Sequence, residues 1–135
     1  MRICLVSESS LFSRTLREFL SDLGHEVEAV QTIYALPERL ERGPLDLALL
    51  EVSSLNEEGI HLMHQLRQRH PDLLVILSGE HLPVSAEEAH SLGIYRYLRK
   101  PLHLDELEFA LRSLSKNCSR CRFISPIEKG AANAS

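Results

Sequence analysis

The sequence predicts a single α/β domain built as a doubly wound parallel sheet, and three observations carry that expectation. Five short apolar runs recur along the chain, segments with helical spacing separate them, and polar residues cluster just after the carboxyl ends of four of the runs. Strand and helix in alternation call for parallel strands joined by right-handed crossovers, with helices on both faces of the sheet. In that architecture a ligand site forms beyond the carboxyl ends of the strands.

The elements follow in order. "RICLV" (2–6), "LDLALL" (45–50) and "LLVIL" (73–77) are nearly continuous apolar runs, as strands covered on both faces require. "EVEAV" (26–30) and "YRYL" (95–98) alternate. Leu11, Phe12, Leu16, Phe19, Leu20 and Leu23 fall on one helical face, and Gly24 supplies a stop. In "TIYALPERLER" Pro37 either kinks a helix or begins one. Ile60, Met63 and Leu66 mark the third helix. "SAEE" at 85–88 has the form of a capping box from Ser85 to Glu88, and Gly93 ends that helix. Leu104, Leu107, Leu111 and Leu114 form the last stripe. The periodicity assigns 1–117 to the domain, and 118–135, with its "ISPIEKGAANAS", to a linker or disordered tail.

At 135 residues the chain suits one domain with one sizeable core. A net charge of −4 without a basic block argues against a nucleic-acid surface. No apolar run approaches membrane-spanning length, and "MRICLV" reads as a strand rather than a signal peptide, so a cytoplasmic location is expected. Cys4 lies in the first strand, where a buried inert thiol is the default; Cys118 and Cys121 form a CxxC lacking the further ligands of a zinc site, and it is read as incidental. His61 and His64 are read as exposed helix histidines rather than a metal pair.

After the first strand stand Ser7 and Glu8, after the third Glu51 and Ser53, after the fourth Ser78, and after the fifth Lys100 and Pro101. Two carboxylates, a hydroxyl and an ammonium are thereby expected at one edge of the sheet. The ordered set is specific. "MRICLVSESSLFSRTLREFLSDLGHEVEAV", "DLALLEVSSLNEEGI", "PDLLVILSGE" and "GIYRYLRKPLHLDEL" together resemble, collinearly over about residues 1–115, the receiver domain of two-component response regulators. The resemblance implies a flavodoxin-like (βα)5 fold with strand order 2-1-3-4-5. It puts Glu51 at the phosphoacceptor position, Ser7 and Glu8 at the acidic pair, and Ser78, Tyr97, Lys100 and Pro101 at the switch and phosphate-contact positions. Gly59 matches the usual loop glycine, whereas Leu55 stands where the family has a proline.

Two positions depart from the family's chemistry. The acceptor is glutamate rather than aspartate, and the first acidic residue is Ser7. The extra methylene carries the Glu51 carboxylate outward by roughly 1.3 Å, and phosphoryl transfer depends steeply on placement. The loss of a carboxylate at position 7 weakens any Mg²⁺ site, leaving Glu8, Glu51 and the carbonyl of Ser53 as weak ligands. The longer side chain can also reach Lys100 without metal or phosphate, as a partial mimic of the phosphoryl group. The expected function is therefore an atypical receiver module, not an enzyme, with no certain cofactor. It would act in two-component or phosphorelay signalling through protein contacts: with a histidine kinase, an output domain or another regulator, over the face made by Ala86–Leu92, Tyr95–Tyr97 and His103–Leu107. A second copy of the chain is a further candidate partner; neither membrane nor nucleic acid is expected. The competing expectation is a competent receiver phosphorylated at Glu51, or at Ser53 or Ser54, with Mg²⁺. A small enzyme using Glu8 and Glu51 as an acid/base pair lacks any suggested substrate-lining groups.

Overall fold

A computed structural model describes residues 1–117. In chain order the elements are β1 (Arg2–Val6), α1 (Ser10–Asp22), β2 (Glu26–Val30), α2 (Leu36–Glu41), β3 (Leu47–Glu51), α3 (Glu57–Arg69), β4 (Leu74–Gly79), α4 (Ala86–Ser91), β5 (Ile94–Arg99) and α5 (Leu104–Asn117). Short 3-10 turns at Ile33–Ala35 and Val52–Ser54 precede α2 and follow β3. The five strands are all parallel, in the order β2-β1-β3-β4-β5, as expected for the doubly wound fold. The tail and the Cys118/Cys121 motif lie outside the described residues.

Strand periodicity divides the core into two layers. On one face Cys4, Val6, Ala48, Leu50, Val75 and Leu77 pack with Ile33, Leu36 and Leu40 near α2, Met63 and Leu66 of α3, and Ala89 and Leu92 at α4. On the other, Ile3, Leu5, Leu47, Leu49, Leu74 and Ile76 meet Leu16 and Leu20 of α1 and Leu107, Ala110, Leu111 and Leu114 of α5. β1, β3 and β4 are thus buried on both faces, which is why their sequences are near-continuously apolar. Cys4 is fully buried, and burial pushes its thiol up to about 11, consistent with an inert core residue.

Several local details differ from the sequence pattern. Leu11, expected on the apolar face of α1, is 73% exposed: the helical repeat turns it roughly 140° from Leu16 and about 180° from Leu20, the buried residues of that helix. Pro37 begins a helix rather than kinking one: it occupies the first turn of α2, where its missing N–H leaves no intrahelical bond unmade. Only half of the capping box forms. Ser85 Oγ accepts from Glu88 N at 3.1 Å, while the Glu88 carboxylate turns away to His64 Nε2 of α3 at 3.1 Å. Gly24 and Gly93 end α1 and α4 with φ of 96° and 78°, values L side chains rarely adopt.

The boundaries of β3 and β4 matter most. β3 runs through Glu51 and β4 through Ser78 and Gly79, with Glu51 opposite Ser78 in the parallel register. The polar residues expected after these strands are therefore their terminal residues, fixed by the hydrogen-bond ladder.

Candidate functional site

Ser7, Glu51, Ser78 and Lys100 meet at the carboxyl edge of the sheet. Ser7 follows the last residue of β1 and is only 2% exposed, its N–H donating to Val30 O of β2 at 3.1 Å. Its hydroxyl accepts from Ser9 N at 3.0 Å and donates to Glu51 Oε1 at 2.7 Å. Glu51 is 5% exposed. Its second oxygen, Oε2, accepts from the ammonium of Lys100, which the segment after β5 brings across the sheet edge. Burial raises the pKa of this carboxyl, but hydrogen bonds from Lys100, Ser7 and Ser53 and the charge of Lys100 outweigh it, so Glu51 is held below its ordinary value of 4.5. It is a buried, ionised and fully partnered group.

Lys100 has a second neighbour. Its Nζ lies 5.1 Å from the centroid of the Phe12 ring, in the first turn of α1. The Lys100–Pro101 peptide bond is cis. The backbone N of Lys100 donates to Gly79 O at 2.9 Å, and the Tyr97 hydroxyl donates to the same carbonyl at 2.7 Å. Tyr97, pushed up in pKa mainly by burial, packs partly buried against the layer that holds α2, α3 and α4.

Ser78 is fully buried, and its hydroxyl finds no hydrogen-bond partner among the described residues. An unpaired buried hydroxyl is destabilising. Ser78→Ala is therefore expected to leave stability unchanged or raise it by about 1 kcal/mol, read as the denaturation midpoint; a loss of more than that would mean the hydroxyl is bonded in solution.

Glu8 stands apart from this cluster. It is exposed and makes no hydrogen bond or ion pair with Glu51 among the described residues; it borders an open groove of about 310 Å³ between α1 and β2, with Ser10, Ser13, Arg14 and Arg17. The cap of α1 is Ser9, whose hydroxyl accepts from Phe12 N at 3.2 Å, not Glu8. Ser53 is exposed in the turn after β3. His61 is exposed beside Gln65. No group of three or more His, Cys, Asp or Glu side chains arranged for a metal occurs among the described residues.

A family model described as the response regulator receiver domain matches residues 3–112. The chain belongs to this family. The receiver domain is 31% identical over 116 residues to the DNA-binding transcriptional regulator NtrC of Azospirillum brasilense, covering 84% of this chain and 24% of that protein. It is 31% identical over 110 residues to the alginate biosynthesis transcriptional regulatory protein AlgB of Pseudomonas aeruginosa, covering 81% and 24%. The chain thus spans about a quarter of the length of these relatives. Among solved structures, the receiver domain of the TMAO respiratory system response regulator TorR superposes with a TM-score of 0.75 at 24% identity, over 86% of this chain and 97% of that one. A putative pilus assembly protein from Burkholderia thailandensis gives 0.72 at 22% identity, over 86% and 98%. At these identities the structural likeness speaks for the fold alone. As a receiver domain the chain is a component of two-component signalling, and among the described residues no helix is long and apolar enough to cross a membrane.

Sequence reasoning brought Glu51, Ser7, Ser78 and Lys100 to one edge and foresaw the reach of Glu51 to Lys100. It missed that Ser7 is itself a ligand of Glu51. The signal available was the pairing of β1 with β3, which sets Val6 opposite Leu50 and so puts the residues that follow them side by side. It also missed Phe12, which reads as one more apolar residue of the α1 stripe.

Proposed function

We propose that this domain is an atypical receiver that is not phosphorylated at Glu51 and that signals through protein contacts with its site held in one state. The observation that carries the reading is the complete partnering of the Glu51 carboxylate, by Ser7 on Oε1 and Lys100 on Oε2. A carboxylate that attacked a phosphoryl group would have to break free of a buried ion pair. Because the pair supplies one negative charge against Lys100, it stands partly in place of the phosphoryl group, which would bring about −1.5 to −2.

Mg²⁺ is the ion that the family resemblance implies, and the donor set is a poor fit for it. Position 7 offers a neutral hydroxyl already committed to Glu51, the second oxygen of Glu51 is held by an ammonium, and Glu8 is the remaining nearby carboxylate. A hard cation that favours several oxygen ligands gains little here. The reading includes no enzymatic activity; the buried carboxylate is ionised and paired rather than poised for proton transfer. Output is assigned to the α4–β5–α5 face, where Phe109 is exposed and the Arg96 guanidinium lies between the Tyr95 and Phe109 rings at 5.7 and 5.8 Å. A histidine kinase, an output domain or another regulator is the partner class, and a cytoplasmic location fits that role.

One observation favours the competing reading of a phosphorylatable site: the orphan hydroxyl of Ser78, buried beside Glu51, would gain a partner from a bound phosphoryl oxygen. Titration with Mg²⁺, followed by amide chemical shifts at the sheet edge, separates the two. The proposed function predicts no saturable shifts at several millimolar Mg²⁺; saturation at Glu8, Glu51 and Ser53 would favour the phosphorylatable site.

A further inference from the structure

The Lys100 ammonium is bounded on one side by the Glu51 carboxylate and on another by the face of Phe12, 5.1 Å from Nζ to the ring centroid. An ammonium within about 6 Å of a ring centroid is attracted by the negative face of the π system, more strongly where water is partly excluded. Here the exclusion is partial. Phe12 is partly buried against the layer that holds α1 and α5, and the Lys100 side chain retains 32% exposure. A lysine has a long flexible stem, and holding its head in one place costs rotamer entropy. A single ion pair with a partly exposed lysine does not guarantee one geometry.

We infer that Phe12 is a positioning residue: its ring holds Lys100 on Glu51 and makes the ion pair self-contained, so that the first turn of α1 is part of the site. The inference deepens the proposed function and rests on the Glu51–Lys100 pair being the resting state. It ties the α1 N-terminus, fixed by Ser9 and Ser7, and the end of β3 to the junction of β5 and α5, since the Phe12 ring and the Glu51 carboxylate hold the same Lys100 ammonium.

The test reads how tightly the ammonium is held, as the rate of reductive methylation at Lys100, resolved by peptide mapping from Lys116 and Lys129. Phe12→Leu keeps an apolar side chain and removes the ring face; the rate at Lys100 is expected to rise about fivefold. Phe12→Tyr keeps the ring and should stay within about twofold of the parent. Glu51→Gln removes the pair and should raise the rate in either background. Should the leucine variant fail to fold, phenylalanines with increasing fluorination at position 12 keep the shape while draining the negative face, and the rate should climb with each step. If Glu51→Gln raises the rate but neither Phe12→Leu nor fluorination does, the positioning role is wrong and the proposed function stands. If Glu51→Gln has no effect either, the resting ion pair does not exist and both fall. A rise in Phe12→Tyr equal to that in Phe12→Leu also overturns the positioning role, since packing rather than the ring face would then be responsible.

Discussion

Lys100→Ala is expected to lower the stability of the domain by about 2–3 kcal/mol at neutral pH. Removing one partner of a buried ion pair leaves the other charge desolvated and uncompensated, which typically costs more than the pair itself contributes. The figure is set below that for a fully buried pair because the Lys100 side chain is one-third exposed and water screens part of the interaction. The pH dependence gives the prediction its sign. In the parent, the folded-state pKa of Glu51 lies below its ordinary value of 4.5, so its contribution is present above that value and is lost as pH falls through the folded pKa. In Lys100→Ala the burial that opposes ionisation loses its main counterweight, and the deficit is greatest when Glu51 is ionised. Urea midpoints for parent and variant should therefore converge in acid. A constant gap at all pH values would place the loss in side-chain packing. Combining Glu51→Gln with Lys100→Ala should recover much of the loss, because no buried charge is then stranded.

Gly79→Ala is expected to destabilise by about 1–3 kcal/mol, although the change adds a single methyl group. A Cβ built at Gly79 would lie 2.6 Å from Val52 Cβ and 2.7 Å from its Cγ2, closer than packed carbon atoms approach. The clash cannot be relieved by a rotamer change, because one of the opposing atoms is the Cβ of Val52 itself. Either β4 or the turn Val52–Ser54 must shift. That turn starts next to Glu51, and the carbonyl of Gly79 anchors both Tyr97 and the backbone of Lys100, so the shift would also loosen the site. Val52→Ala removes the methyl contacts but leaves its Cβ, so in the double variant it should rescue the denaturation midpoint only in part. A Gly79→Ala protein as stable as the parent would mean that the two strand ends are further apart than the structure has them.

Much of this was legible in the chain. The buried runs of β1, β3 and β4 announce themselves because a parallel strand covered on both faces has no polar side to interrupt the pattern. The edge placement of Glu51, Ser78 and Lys100 follows from the doubly wound architecture, which gathers strand ends whatever their order in sequence. What could not be read is what depends on side-chain reach across elements. Glu8 and Ser7 are adjacent in sequence, yet Ser7 turns inward to Glu51 while Glu8 stays exposed. The exposure of Leu11 was within reach of the sequence, since the helical repeat sets it roughly opposite Leu20. Val52 against Gly79 is a contact between the turn after β3 and the end of β4, which neighbour each other only after folding.

The most direct test of a site occupied by its own carboxylate is the intact mass of the protein after incubation with acetyl phosphate and Mg²⁺, with a phosphorylation-competent receiver treated in parallel to verify the donor. An unchanged mass for this chain, alongside a phosphorylated control, is the expected result. A stable phosphoryl adduct mapping to Glu51 would contradict it.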